Sequence, residues 1–296
     1  MKQSLSYYLL LLVLKLKGLK KDFSQDPIDY KSLRKGDVYA APQASYDRSR
    51  LSSFKILEST ITELKGDDTS NGLILFVHGG AFISGPTALH WDTVKKIVAK
   101  TGQTLWLCDY PKAPENQIEE IAKNIDLIYK RALETYSAQE ITLLGDSVGG
   151  TLITALTQRL IQKNQELPNK LILVSPVMDA SMSNLEIEEV DRRDPMLSKA
   201  GVLSAKKMCA GNLALKDPNI SPIYGSFNSF PKTILFLAEN DITYPDQLLV
   251  VQKLKAEGVD LEVILGEKMP HIWPFLPVMK EARVALYQLI DRLNGY

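Results

Sequence analysis

The chain has 296 residues and a mass of 33.1 kDa, enough for one large α/β domain or two ordinary ones. At 45% hydrophobic and 24% charged it has the make-up of a globular protein with a sizeable core. Lys plus Arg and Asp plus Glu both number 35, so there is no basic excess to neutralise phosphates, and nucleic acid is not expected as a partner. Two cysteines, Cys108 and Cys209, lie outside any CxxC pair, which excludes a disulfide-dense scaffold and a Cys-based zinc site.

The first element is an apolar run from Tyr7 to Leu14, followed by Lys15, Lys17, Lys20 and Lys21. It is far short of the roughly 20 apolar residues that span a bilayer, so no stable membrane span is expected. As a signal peptide it is poor, with only Lys2 and the amino terminus as leading charge, the basic cluster after the run and no A-x-A site, which makes a cytoplasmic protein the default expectation. The run reads as a short helix packed on the body. The alternative is an interfacial helix with snorkelling lysines.

Phe54 to Leu64 is compatible with an antiparallel edge hairpin. Beyond it, short apolar runs without polar alternation read as buried parallel strands: Leu73–Val77, Thr104–Cys108, Ile141–Leu144, Leu171–Val174, Thr233–Ala238 and Leu261–Leu265. Ile118, Ile121, Ile125, Ile128 and Ala132 mark one face of a helix over about 117–135. Further helices are expected at about 148–162, 247–257 and 280–294. Strands alternating with helices predict a single α/β domain over residues 1–296 with a mostly parallel wound sheet. Almost sixty residues separate the strands at Leu171 and Thr233, and Pro176, Pro195, Pro218, Pro222 and Pro231 punctuate that region. That interval reads as an insertion, about 177–230. With the N-terminal fifty residues it is expected to cap the carboxyl edge of the sheet, where ligands bind in open α/β folds.

Gly145-Asp146-Ser147-Val148-Gly149 fits G-x-S-x-G and sits between a strand and a helix, the setting of a nucleophile elbow. The flanking glycines permit a sharp turn, and the helix N-terminus points partial positive charge at the reacting centre. A serine hydroxyl needs a base, and the base needs an orienting acid. The chain has three histidines, and only His271 follows Ser147. In wound-sheet hydrolases the order along the chain is Ser, then acid, then His, so His271 is the candidate base. Asp241, at the end of the preceding strand, is the candidate acid; Glu239 and Asp246 are its rivals, and Asp246 is expected to cap the next helix. His78-Gly79-Gly80-Ala81-Phe82 follows the Leu73–Val77 strand and matches an HGGG-type donor loop. Backbone N–H groups there and at Val148 form a candidate oxyanion hole, each donor worth about 3–4 kcal/mol. His78 is expected to brace this loop. His90 is left on the surface.

With these residues in place, the sequence resembles the hormone-sensitive-lipase-like family of α/β-hydrolase esterases from about Leu73 onward. The likeness rests on His78-Gly79-Gly80-Ala81-Phe82, Tyr110-Pro111-Lys112-Ala113-Pro114-Glu115, Gly145-Asp146-Ser147-Val148-Gly149-Gly150, Ser175-Pro176 with Asp179, Glu239-Asn240-Asp241, and His271. The resemblance implies a carboxylesterase for short to medium acyl esters, with donors at Gly80, Ala81 and Val148, Gly79 allowing the turn, and a cap from the N-terminus and the insertion. It departs from the family at Ala81, where the last glycine is replaced, and at Ile242-Thr243, where the family usually has Pro-Leu.

The expected reaction is attack by Ser147 on an ester carbonyl with His271 as base, Asp241 orienting the imidazole, and an acyl-enzyme then hydrolysed by water. It calls for no metal and no organic cofactor, and its partner is a small-molecule ester. An amidase or peptidase on the same fold uses the same groups. A non-catalytic binder is the remaining alternative, since the family includes a hormone receptor that lost a triad member.

Overall fold

The computed structural model describes residues 3–42, 46–67 and 72–295. Its centre is an eight-stranded sheet in the order β1-β2-β4-β3-β5-β6-β7-β8. The strands are β1 (Leu51–Ile56), β2 (Ser59–Leu64), β3 (Leu73–Val77), β4 (Thr104–Asp109), β5 (Ile141–Asp146), β6 (Lys170–Val174), β7 (Lys232–Asn240) and β8 (Leu261–Pro270). β2 runs antiparallel to β1 and β4, and the pairs from β4 through β8 are parallel. The edge hairpin and the parallel strands expected from the sequence are therefore present.

β3 to β7 lack polar alternation because both faces are buried, whereas β8, expected to be buried, is an edge strand that leaves Val263 and Leu265 exposed. Leu73, Leu75 and Val77 of β3 enter one core with α5 (Ile118–Leu133) and α6 (Val148–Gln162). Ile74 and Phe76 enter a second core with α4 (Ala88–Thr101) and α10 (Lys280–Leu293). Period-two strand geometry thus divides one apolar run between two layers of helices. On α5 the isoleucine stripe is buried as the spacing predicts.

Two expectations need adjustment. α9 spans Tyr244–Ala256, three residues earlier than read, because Pro245 fits the first helical turn where no N–H partner is needed. α4 was not anticipated. Trp91, Val94 and Ile97 recur every three residues and are buried, and Gly102 closes the helix in the left-handed region, so the signal was in the sequence.

The N-terminal segment forms α1 (Leu5–Lys17), α2 (Leu19–Asp22) and α3 (Tyr30–Leu33), and the long interval after β6 forms α7 (Ile187–Arg193) and α8 (Lys199–Ala210). Arg34 ties the first segment to the donor loop, its Nε donating to Ile83 O at 2.6 Å and its Nη2 to Ala113 O at 2.7 Å. Asp37 Oδ1 accepts from Gly85 N at 2.6 Å.

Candidate active site

Ser147 stands between β5 and α6 with φ 52° and ψ −123°. A side chain at such a φ costs about 1–3 kcal/mol and persists only where its surroundings over-determine it. Here they do: Ser147 N donates to Val174 O at 2.9 Å, and Val177 N donates to Ser147 O at 3.1 Å. Gly149 is obligatory, because a Cβ there would meet Val77 O at 1.9 Å. This close approach sets α6 directly on β3.

Asp146 has a part that the sequence pattern did not disclose. Its buried Oδ1 accepts from Gly79 N at 2.9 Å, clamping the donor loop to the elbow. His90 is the second half of the clamp and not a surface residue. It is buried, its Nδ1 accepts from Thr87 N at 2.9 Å, and its Nε2 lies 3.4 Å from Asp146 Oδ1. With Nδ1 accepting, the ring proton is on Nε2 and faces the carboxylate. Burial pulls the Asp146 pKa upward, yet His90, His78 and the Gly79 N–H outweigh it, and the group stays below the usual carboxylate value.

His78, expected to brace the loop, lies directly against it. It is fully buried, stacks on Tyr110 at 4.6 Å between centroids, and bonds Gly79 O at 2.5 Å. Tyr110 Oη donates to His78 O at 3.0 Å, so the Tyr110–Glu115 segment supports the same loop. Gly80, Ala81 and Phe82 all take positive φ, at 122°, 54° and 67°. Among the described residues the N–H groups of Gly80, Ala81 and Val148 have no protein acceptor. Free N–H groups beside a serine are what an oxyanion requires.

Asp241 and His271 form a direct pair: His271 Nδ1 donates to Asp241 Oδ2 at 2.7 Å, with both groups buried. This fixes the tautomer with Nε2 free to take a proton. Burial lowers the imidazole pKa most, but the Asp241 charge and hydrogen bond, with the charges of Asp194 and Asp146, together raise it more, and the net shift is upward. Thr243 N and Oγ1 donate to Asp241 Oδ1 at 2.9 and 2.7 Å, and Gln247 Nε2 donates to Thr243 Oγ1 at 2.7 Å. The Thr243 that departs from the family pattern thus supplies a hydroxyl to the acid. Ile272 N donates to Ser175 Oγ at 3.0 Å, which holds the loop bearing His271.

The rivals for the acid are occupied elsewhere. Glu239 Oε2 accepts from Lys268 N at 2.8 Å. Asp246 Oδ1 accepts from Asn184 Nδ2 at 3.0 Å, and burial raises its pKa to about 6. It caps no helix, since its side chain points to the segment before α7 and not to the N–H groups of α9.

Ser147 and His271 line one cavity of about 310 Å³. They are not hydrogen-bonded to each other here, and in substrate-free hydrolases this bond is commonly long and tightens on binding. Gly80, Ala81 and Val148 line the same cavity beside the serine. Leu19, Phe23 and Leu33 close it from the N-terminal segment, and Met196, Leu197 and Val202 from the long interval.

Asp194, on that interval, was not foreseen. Its Oδ1 accepts from Met196 N at 2.7 Å and Leu197 N at 2.9 Å, and its Oδ2 from Ile242 N at 2.9 Å, the residue after Asp241. One buried carboxylate therefore joins the cavity wall to the acid's loop. Burial first, and the charge of Asp241 second, raise its pKa to about 7.

A strained serine at a strand-to-helix elbow, beside free backbone donors and on one cavity with the histidine of an Asp–His pair, is the arrangement that hydrolases on a wound sheet require. A family profile described as alpha/beta hydrolase fold matches residues 74–275, and the chain belongs to that family of hydrolases. An esterase of Acinetobacter venetianus is 29% identical over 206 residues, or 68% of this chain. The match covers 66% of that relative, a little under two thirds of its length. A Staphylococcus aureus protein solved as a candidate esterase is 28% identical, with a TM-score of 0.83 over 90% of each chain. An esterase from the bacterial hormone-sensitive lipase family superposes with a TM-score of 0.85 at 21% identity over 100% of this chain and 99% of its own, which bears on the fold. The α/β-hydrolase fold implied by the resemblance read from the motifs agrees with these matches.

Proposed function

We propose that this protein is a carboxylesterase for short to medium acyl esters, working through Ser147, His271 and Asp241. The observation that supports the reading is that a strained serine and the histidine of an Asp–His pair line one apolar cavity, with three N–H groups beside the serine that have no protein acceptor among the described residues. Ser147 Oγ attacks the carbonyl carbon while His271 Nε2 takes its proton, and Asp241 steadies the resulting imidazolium. The oxyanion is received by Gly80, Ala81 and Val148 N–H. His271 then protonates the leaving alcohol, and water, deprotonated by the same nitrogen, hydrolyses the acyl-enzyme.

The N-terminal segment of about 1–50 and the interval of about 177–230 serve as the cap, because Leu19, Phe23, Leu33, Met196, Leu197 and Val202 supply the apolar wall. A cavity of about 310 Å³ lies at the small end of ligand sites, which run from about 300 to 1,000 Å³, and this supports short to medium acyl chains. The test is hydrolysis of nitrophenyl esters of increasing acyl length by the protein and by Ser147→Ala. We expect kcat in the variant to fall by roughly 10³-fold or more, with turnover in the parent declining past medium chains. Full turnover by the variant would refute the assignment. Amide substrates with matched acyl groups are expected to turn over more slowly than the esters, and the reverse order would make the protein an amidase.

A further inference from the structure

α1 is apolar on two opposite sides. Tyr7, Leu10 and Leu14 are buried against the body, where Tyr7 Oη donates to Lys268 O at 2.9 Å. Leu5, Tyr8, Leu9, Leu12 and Leu16 recur at steps of three and four on the other side and are exposed by 52% to 89%. A helix that only packs on a protein body carries polar residues outward, so the body does not account for this second stripe.

Charge accompanies the stripe. Lys15, Lys17 and Lys21 lie at and beyond its end, exposed and without an acidic partner among the described residues, while Lys20 is engaged with Asp191 at 3.5 Å and with Asp194 O at 2.9 Å. From Ser4 to Ser24 the sequence holds these four lysines and one acid, Asp22, in a chain whose formal net charge is zero. A second copy of the chain docking on the same stripe would bring it no acid to set against the lysines. An anionic lipid surface supplies both an apolar layer and negative charge.

Position adds the link to function. Gly18 ends α1 in the left-handed region, and Leu19 and Phe23 immediately beyond it line the cavity that holds Ser147 and His271. The exposed stripe thus stops within three residues of the cavity wall, at its lysine-bearing end. No helix among the described residues is long and apolar enough to cross a membrane. At 13 residues, α1 is about 20 Å long and suited to lying in an interface.

We propose that the Leu5–Leu16 stripe and its lysines seat the enzyme on an anionic lipid surface, so that its substrates are lipophilic esters dissolved in the bilayer. The stripe sinks among the acyl chains while the lysines reach back to the headgroups. The substrate half of this inference rests on the esterase reading; the lipid half does not.

The experiment is flotation of Ser147→Ala protein with phosphatidylcholine vesicles, with and without phosphatidylglycerol, which reads binding apart from catalysis. We expect binding to the anionic vesicles and its loss at high salt. Two triple variants, Leu9→Ser/Leu12→Ser/Leu16→Ser and Lys15→Glu/Lys17→Glu/Lys21→Glu, are expected to bind roughly tenfold or more weakly. In the active chain both should melt at the parent's temperature and keep its turnover of a water-soluble nitrophenyl acetate. They should lose turnover of an ester dissolved in the vesicles. The proposal is overturned if the parent does not float, if either variant floats equally well, or if the leucine variant only dissolves a dimer. Flotation without faster turnover of the vesicle-borne ester overturns the substrate half. Flotation by a chain that hydrolyses no ester supports the lipid half and refutes the esterase reading.

Discussion

The carboxyl rim of the sheet and the segments that cover it are held in different ways. At the rim, chemistry-bearing groups are pinned by backbone geometry: a serine at φ 52°, a glycine whose Cβ would meet a carbonyl at 1.9 Å, and a donor loop with three successive positive φ values. The covering wall has one such close approach, a Cβ on Gly201 of α8 that would meet Phe23 O at 2.0 Å, but it joins the two wall segments to each other. The wall hangs on a few charged side chains that accept or donate to backbone across long sequence distances, Arg34 on the donor loop and Asp194 on the acid's loop. Injury at the rim should therefore abolish rate while leaving the fold intact. Injury at an anchor should cost stability and substrate binding together.

The largest expected effect is at the rim. Asp241→Asn should reduce kcat by about 10³–10⁴-fold, because an asparagine no longer selects the tautomer with Nε2 free. It also tests the electrostatics. Burial is the largest single influence on the His271 pKa and lowers it, but the charge and hydrogen bond of Asp241 with the charges of Asp194 and Asp146 together raise it, so without Asp241 the acid limb of kcat/KM should move to lower pH. The folded pKa lies above the unfolded one. The pair therefore adds stability that is complete below about pH 6.5 and is lost as pH rises through the folded value, and the variant should lack that slope. A limb that stays in place would separate Asp241 from His271. Asp194→Ala comes next, on the wall side. Three buried N–H groups, of Met196, Leu197 and Ile242, lose their acceptor at once, at a cost of about 2–4 kcal/mol. Melting temperature should fall and KM for longer acyl chains rise, since Met196 and Leu197 line the cavity. A stable variant with unchanged KM would show that the wall does not depend on this carboxylate.

The same division explains what could be read from the chain. Buried strands on a two-faced sheet are short apolar runs, and the elbow is a local glycine pattern, so both are visible in a few consecutive residues. His271 was found by scarcity, as the one histidine past Ser147. Asp194 before Pro195 carries a local sign only for the turn over Met196 and Leu197; its bond to Ile242, 48 residues on, appears only when the chain folds. His90 was misplaced for the same reason: its partner Asp146 belongs to another element, and α4, whose first turn delivers it, went unread despite the spacing of Trp91, Val94 and Ile97. Thr243 was noticed only as a departure from Pro-Leu. That its hydroxyl meets Asp241 follows from the turn after β7, which the sequence does not fix.

Thr243 gives a smaller test of rim against wall, because it orients the acid without touching substrate. Thr243→Val removes one of the two donors to Asp241 Oδ1 and the acceptor for Gln247 Nε2. At about 1 kcal/mol per bond, kcat should fall roughly five- to tenfold with KM unchanged, and Thr243→Ser should restore it. A change in KM alone would assign Thr243 to the wall.

The smallest effect belongs to Ala81, the residue where rim and wall meet. It lines the cavity at φ 54°, a conformation that glycine adopts at no steric cost. Ala81→Gly relieves that strain and adds chain entropy to the unfolded state, two effects of about 1 kcal/mol or less and opposite sign, so the melting temperature should barely move. The N–H donor survives, and linear short-chain esters should keep their rates. Removing the methyl widens the space beside the oxyanion, so kcat/KM for branched acyl groups should rise about two- to fivefold relative to linear ones. An equal loss for both classes would mean that Ala81 serves to hold its N–H in place and not to shape the acyl site.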